Sequence, residues 1–339
     1  MKKIFIYLSL VLIVGFVTAA LYCNYYIHQN INKNNPVKIS IPKGTGVGKI
    51  VDILNKEDLA QPKWLFEIYL KYLSIIDRKY LQAGVYLFPK NITTSELIDA
   101  LFTSKYLYIA RVTFPEGLTY LNFASILQKD ALVDSAKFVK YAESDSLLNA
   151  RKIRGKSVEG YLLPDTYEIY MESSAKDVID KLLDAHEKMF NRINSQSSNP
   201  QKFSRHEILT LASIVEAETP DDSERSKVSG LYINRINKNM LLQADPTVAY
   251  ALGNNKRILY NDLKTVNPYN TYKYKGLPPG PINNPGAKSI RAALNPDSHN
   301  FIYMVTIGDG TRRHNFSKTY SEHQKYVSQY RRRLKSQTN

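Results

Sequence analysis

The stretch SRHEILTLASIVEAE, residues 204–218, decides how the rest of the chain is read. Ser204, followed three residues later by Glu207, is the capping-box pattern, in which two side chains satisfy backbone amides that a first helical turn leaves unpaired. From Ile208 to Val215 the helix is apolar on nearly every face, and a helix of that kind is buried. A buried helix needs partners, and the sequence from about residue 110 onward offers them in a mixed α+β pattern. Periodicity predicts further helices at 135–149, 175–193, 222–238, 286–294 and 319–336. An apolar strand, 301–305, leads through Asp309-Gly310 into His314-Asn315-Phe316, and Asp-Gly favours a tight hairpin turn. Residues 265–286 (TVNPYNTYKYKGLPPGPINNPG) are too rich in Pro, Gly and Asn to be a regular element. Long ordered loops inside a compact domain are often functional.

Upstream, VKISIPKGTGVGKIVDIL (37–54) is echoed by ARVTFPEGLTYLNFASIL (110–127). Each reads as a β-branched strand, a Pro-x-Gly turn (Pro42/Gly44 and Pro115/Gly117) and an apolar periodic helix. Between the copies, 62–72 reads as an amphipathic helix, 84–88 as a strand, and Ser95 as the start of another helix. Strand, helix, helix, strand resembles the LysM-like module that binds wall glycans.

The N-terminus bears on the compartment. Lys2 and Lys3 precede an uncharged run from Ile4 to Tyr22, and about 20 helical residues rise roughly 30 Å, enough to cross a bilayer core. The lysines are expected on the cytoplasmic side, with Tyr22, Tyr25 and Tyr26 at the far interface. Val17-Thr18-Ala19 resembles a signal-peptide cleavage site, but the apolar run continues past it, which favours a retained anchor. Residues 24–36 read as a polar spacer. The net charge of +15 favours an acidic partner, which a carboxylate-bearing polymer or anionic headgroups would be. Export argues against nucleic acid. One cysteine excludes an internal disulfide, no spacing suggests a metal site, and no phosphate loop is present, so no cofactor is expected.

Glu216 follows the apolar run of 208–215 directly. Burial disfavours a charged carboxylate and raises its pKa, as a general acid for a glycosidic oxygen requires. The structural alternative is a helix-end glutamate paired with an arginine such as Arg225 or Arg235. Glu218 is displaced from Glu216 by about 200° around a helix, so the two cannot face one bond.

Four ordered blocks carry a resemblance: EGYLLPDTYE (159–168), LASIVEAE (211–218), LLQADPTVAY (241–250) and YNTYKYKGLPPGPINNPG (269–286). Together they resemble the endolytic murein transglycosylase family (MltG/YceG-like), over most of residues 37–335; the LysM-like part and the linker at 195–202 match more loosely. The resemblance implies a single glutamate, carried over as Glu216, that protonates the oxygen between N-acetylmuramic acid and N-acetylglucosamine. It then helps the muramic C6 hydroxyl close on C1, leaving a 1,6-anhydro end. Peptidoglycan strands are the implied substrate and glycan polymerases the implied partners. The expected organisation is a stub at 1–3, a transmembrane helix at 4–23, the spacer at 24–36, the LysM-like module at 37–105 and a catalytic domain at 106–339.

Around Glu216, Glu218 is expected to support the site, while Gln243, Asp245 and Thr247 are candidates for binding sugar hydroxyls or acetamido groups. A helix-capping role for Asp245-Pro246-Thr247 is the alternative. Asn270 and Tyr272, with the 276–281 loop, are candidates for a groove wall with Tyr272 stacked on a sugar, or else for a rigid structural loop. Turn and core roles suit Glu159, Asp165 and Tyr167, and His314 reads as a hydrogen-bonded structural histidine. Two further readings stay open: a hydrolase using Glu216 with a distant carboxylate such as Asp245, and a non-catalytic glycan-binding scaffold.

Overall fold

The chain begins with helix α1 (Lys2–Ile27), whose segment Ile6–Ile27 has a mean hydropathy of 2.3 and is long and apolar enough to cross a membrane. The computed structural model describes residues 2–76, 80–197, 201–253 and 258–337, so Met1 of the expected stub and residues 198–200 of the expected linker lie outside the described residues. The chain divides into two units, Met1–Ala110 with Glu168–Ser173, and Arg111–Tyr167 with Ser174–Asn339.

In the first unit, α1 is followed by β1 (Asn30–Asn32), β2 (Val37–Ile41), α2 (Val47–Lys56), α3 (Lys63–Ile76), β3 (Gly84–Phe88), β4 (Asn91–Thr93) and α4 (Thr94–Thr103). β2 pairs antiparallel with β3 in the register Val37↔Phe88 to Ile41↔Gly84. Alternation puts Ile39 and Ile41 on the buried face, against Ile50, Val51 and Leu54 of α2 and Phe66 and Leu70 of α3 in one core. Each such side chain contributes about 1.5–3 kcal/mol on burial. The expected strand–helix–helix–strand order is therefore present.

Thr93 and Glu96 close a capping box that starts α4 one residue before the expected Ser95. The expected spacer is tied in at two points. β1 pairs antiparallel with β4, and Tyr26, 3% exposed, is part of this unit's core. Residues 24–36 are polar on average, but strand pairing and one aromatic anchor outweigh composition there.

β5 (Ile109–Thr113) and β6 (Thr166–Tyr170) form a two-stranded sheet. The second unit continues with α5 (Tyr120–Ala131), α6 (Ser135–Ala142), α7 (Asp145–Ala150) and α8 (Ala175–Asn194). After α9 (Arg205–Glu218) come α10 (Arg225–Asn237), α11 (Asp245–Ala251), α12 (Ala287–Leu294), β7 (Tyr303–Thr306), β8 (His314–Ser317) and α13 (Tyr320–Gln337). Every residue of α9 from Ile208 to Val215 is buried, and α12, α10 and α11 pack around it.

The two echoed segments do share one local form. Gly44 and Gly117 have φ of 82° and 78°, a left-handed turn that glycine adopts without strain, and each precedes a helix. The helix expected at 135–149 is two helices, because the chain turns at Glu143–Ser144, where the Ser144 hydroxyl donates to the Tyr141 carbonyl at 2.7 Å. α10 starts three residues later than expected, since the Asp221 carboxylate accepts the Ser223 amide at 2.9 Å and holds a turn there. β7 and β8 do form a hairpin, but residues 307–313 join them, so Asp309-Gly310 lies in a longer loop.

Candidate active site

The capping box expected at Ser204 and Glu207 fixes the start of α9, and after the buried run from Ile208 to Val215 its last turn carries two glutamates. Their side chains diverge, as the helical period requires.

Glu216 turns toward the N-termini of α10 and α12. Its Oε1 pairs with Arg225 Nη1 at 2.9 Å, and its Oε2 accepts the Gly286 amide at 3.0 Å. The two paired side chains are 6% and 7% exposed. Arg225 also binds Asp222 at 3.1 Å and the Ser289 hydroxyl, and Asp222 in turn binds Lys288. Gly286 has no side chain because Glu116 lies there: a Cβ would fall 1.8 Å from Glu116 Oε1. Burial first, and the Glu216 charge second, push the Glu116 carboxyl above the usual range. This is a buried polar network in which both oxygens of Glu216 are engaged by donors. The expectation for Glu216 rested on the apolar run and on the family block, neither of which shows these donors; the arginine-paired alternative describes its surroundings.

Glu218 points the other way, into a cavity of about 290 Å³ whose walls include Tyr232, Gln243, Asp245, Tyr272 and His314. Tyr232 donates its hydroxyl to Glu218 Oε1 at 2.6 Å. Desolvation raises the Glu218 pKa, the Tyr232 bond opposes it, and the Asp245 charge adds to the rise. Asp245 is held by the Tyr272 hydroxyl at 2.6 Å and does not cap α11, which lacks a side-chain cap. Arg235, on the same wall, spends its guanidinium on the Ile302 and Leu242 carbonyls, at 2.7 and 2.6 Å.

Four of the expected residues, Glu218, Gln243, Asp245 and Tyr272, thus meet in one cavity, and Glu216 is not among its lining residues. Thr247 and Asn270 are corrected. Thr247 is 0% exposed and bonds the Ala244 carbonyl and the Thr271 hydroxyl, at 2.7 and 2.9 Å. Asn270, also 0% exposed, donates to the Leu263 and Thr265 carbonyls and accepts the Tyr272 amide. Both brace the irregular loop, because buried polar groups in a loop must be satisfied internally. The 276–286 part of that loop is likewise fastened to α9, through Ile282 N to Ser213 Oγ and Asn283 Nδ2 to the Ser213 carbonyl. Glu159 is a core residue, accepting the Tyr120 amide and Asn284 Nδ2, and burial pushes its carboxyl up to about 8.

Sequence reasoning missed Tyr232, and with it the Glu224–His314 pair. Glu224 Oε2 meets His314 Nδ1 at 2.9 Å across ninety residues, a spacing with no local signal.

By class, this is an α+β protein with an apolar N-terminal helix and a carboxyl-lined cavity at the end of a buried helix. The chain belongs to the YceG-like family, which it matches over residues 39–329. It is 32% identical over 310 residues to a Bacillus subtilis protein named endolytic murein transglycosylase, covering 87% of this chain and 84% of that one. A Streptococcus pneumoniae protein of the same name is 30% identical over 305 residues, covering 81% of this chain and 55% of that longer one. A crystal structure of a YceG-like protein from Listeria monocytogenes superposes with a TM-score of 0.58 at 31% identity, covering 86% of this chain and 98% of that one.

Proposed function

We propose that this chain is a peptidoglycan lytic transglycosylase that cuts within glycan strands, with Glu218 as the proton donor. The observation that carries the assignment is the Glu218 environment: a carboxyl at the wall of a cavity, its pKa raised by desolvation and by the Asp245 charge, has the setting of a proton donor to a leaving glycosidic oxygen. The names of the relatives supply the substrate class. In this reading Glu218 gives its proton to the oxygen between N-acetylmuramic acid and N-acetylglucosamine, the bond to muramic C1 breaks, and the muramic C6 hydroxyl closes on C1. The product is a 1,6-anhydro end, formed without water. Gln243, Asp245 and Tyr272 hold the sugar. Glu216 fixes the end of α9 through Arg225.

The strand–helix–helix–strand unit, together with its resemblance to LysM-like modules, supports a glycan-holding role for the first unit. An apolar helix preceded by Lys2 and Lys3 supports a single-pass anchor with the rest of the chain outside the cytoplasm. Tethering of that kind suits nascent strands and release from their polymerases. Asp245, a second carboxylate on the same cavity, favours one rival, a hydrolase. The test is to digest purified glycan and read the new ends by mass: anhydromuramic ends from the wild type, lost in Glu218→Gln, support the proposal, and reducing muramic ends as the primary product favour the rival.

A further inference from the structure

Helix α3 carries three kinds of side chain, and the packing of the first unit accounts for two of them. Leu65, Phe66 and Leu70 face inward and are buried. Lys63 and Lys71 lie on a polar edge, paired with Asp52 at 2.6 Å and with Glu67 at 2.7 Å. The third kind is a row of exposed apolar residues. Steps of three and four residues place Trp64, Ile68, Tyr72 and Ile75 on one side of the helix, with Ile76 at the edge of the row. All five are exposed, Trp64 by 61% and Ile75 by 75%, and Tyr80, beyond the helix, is exposed as well. Single exposed apolar residues are ordinary, whereas a continuous row marks a contact surface.

The attachment of α1 decides what lies against this unit. α1 runs unbroken to Ile27, and only His28 and Gln29 separate it from β1. Tyr26 is buried in the same core that receives Phe66 and Leu70 from the inner side of α3. The unit is therefore joined to the apolar helix without slack, and a bilayer crossed by α1 lies directly beside it. Tyr22 and Tyr25, at that end of α1, are exposed, as side chains at a membrane interface are. Residues 28–110 carry eleven Lys and Arg against seven Asp and Glu, a balance that anionic headgroups attract.

The chemistry of the row points the same way. Trp and Tyr rings settle at headgroup level, and aliphatic side chains between them reach the top of the acyl chains. A sugar-binding face needs hydrogen-bonding groups between its rings, and Ile68, Ile75 and Ile76 have none in their side chains.

We propose that this side of α3 rests in the headgroup–acyl boundary of the bilayer that α1 crosses, giving the first unit a second membrane contact. The inference rests on the single-pass anchor reading. A row this short binds lipid weakly by itself, but α1 holds it at the surface, so its docking is in effect intramolecular. Two contacts stop the unit from swivelling about α1 and set the height above the bilayer at which it holds a strand.

Trp64 is the only tryptophan of the chain, so its fluorescence reports on this face alone. The full-length protein is reconstituted into vesicles of phosphatidylcholine and phosphatidylglycerol and floated on a density gradient. Its emission is then compared with that in vesicles whose lipid is brominated high on the acyl chain, a quencher that acts only at close contact. Plain vesicles are expected to give the short-wavelength emission of a desolvated indole, and brominated ones to remove most of it. Combining Ile68→Asp with Ile75→Asp, both at exposed positions, should leave flotation intact, move the emission to longer wavelength and abolish most of the quenching.

If the wild type floats but Trp64 emits as an indole in water and keeps its intensity in brominated vesicles, the inference is overturned and the anchor stands. Short-wavelength emission without lipid quenching also overturns it, in favour of a second copy of this chain. A Trp64 signal that responds only to added glycan overturns it in favour of a sugar-binding face. Quenching undiminished in the double variant overturns it too. Should that variant lose its fold by circular dichroism, quenching in the wild type decides alone. A wild type that does not float overturns the anchor and the inference together.

Discussion

Replacing Glu216 by glutamine separates its structural role from a catalytic one. In the wild type both carboxylate oxygens are engaged, one by Arg225 at 2.9 Å and one by the Gly286 amide at 3.0 Å. A glutamine keeps one acceptor for these two donors and turns an NH₂ group toward the other. Removing one partner of a buried ion pair typically costs about 3–5 kcal/mol, because the remaining charge stays buried without compensation. Arg225 retains Asp222 and Ser289, so the loss belongs at the lower end. For a unit of this size, about 3 kcal/mol corresponds to a fall in Tm of roughly 6–12 °C. Thermal unfolding of the detergent-solubilised full chain, followed by circular dichroism, measures it, and glycan cutting is assayed well below the lowered Tm. We expect a clear loss of stability with most of the cutting rate retained. Arg225→Met placed in the Glu216→Gln background should recover part of the stability, since it removes the unpaired charge. A Glu216→Gln protein with unchanged Tm and no cutting would refute the reasoning and return the catalytic role to Glu216.

Three other outcomes follow from the structure. Glu159, pushed up to about 8 by burial from an ordinary 4.5, keeps a proton in the folded state that the unfolded chain has released. Its contribution is therefore full below about pH 4.5 and is lost as pH rises through about 8, at ~1.4 kcal/mol per unit. Denaturant melts should show stability falling across that window, and Glu159→Gln should flatten the fall; a slope unchanged by the substitution speaks against it. Gly160→Ala, at φ 82° and with its new Cβ 2.4 Å from the Pro281 ring, should destabilise by more than ~2 kcal/mol in the same melts. A chain beginning at Asn30 loses Tyr26 from the core of the first unit, and should show a lower Tm than one beginning at Asn24; equal values would mean that Tyr26 contributes nothing.

Much of this architecture was legible because it depends on local pattern. Ser204 and Glu207 marked the start of α9, its apolar faces marked burial, and the Pro-x-Gly turns marked two strand-to-helix units whose glycines do take positive φ. What local pattern does not encode is where a side chain at a helix end finds its partner. Glu216 and Glu218 follow the same apolar run, and only the placement of Arg225, Gly286 and Tyr232 decides that one becomes an ion pair and the other faces a cavity. Thr247 and Asn270 stand in polar, Pro-marked stretches that suggest a binding surface, yet the loop folds over them and uses their hydrogen bonds itself. His314 is hydrogen-bonded as expected, but its partner, Glu224, is ninety residues away in the chain and comes close only in the fold, so sequence does not name it.

The central claim is that Glu218 delivers the proton that releases the glycan. Its most direct test is mass analysis of fragments from purified glycan treated with wild type, Glu218→Gln and Glu216→Gln at equal folded concentration. Glutamine at 218 preserves size and the bond to Tyr232 while removing the proton, so the release of 1,6-anhydromuramic ends should fall by about 10²–10⁴-fold, with Glu216→Gln retaining most of it. Anhydro ends at the wild-type rate from Glu218→Gln, with none from a folded Glu216→Gln, would contradict the account.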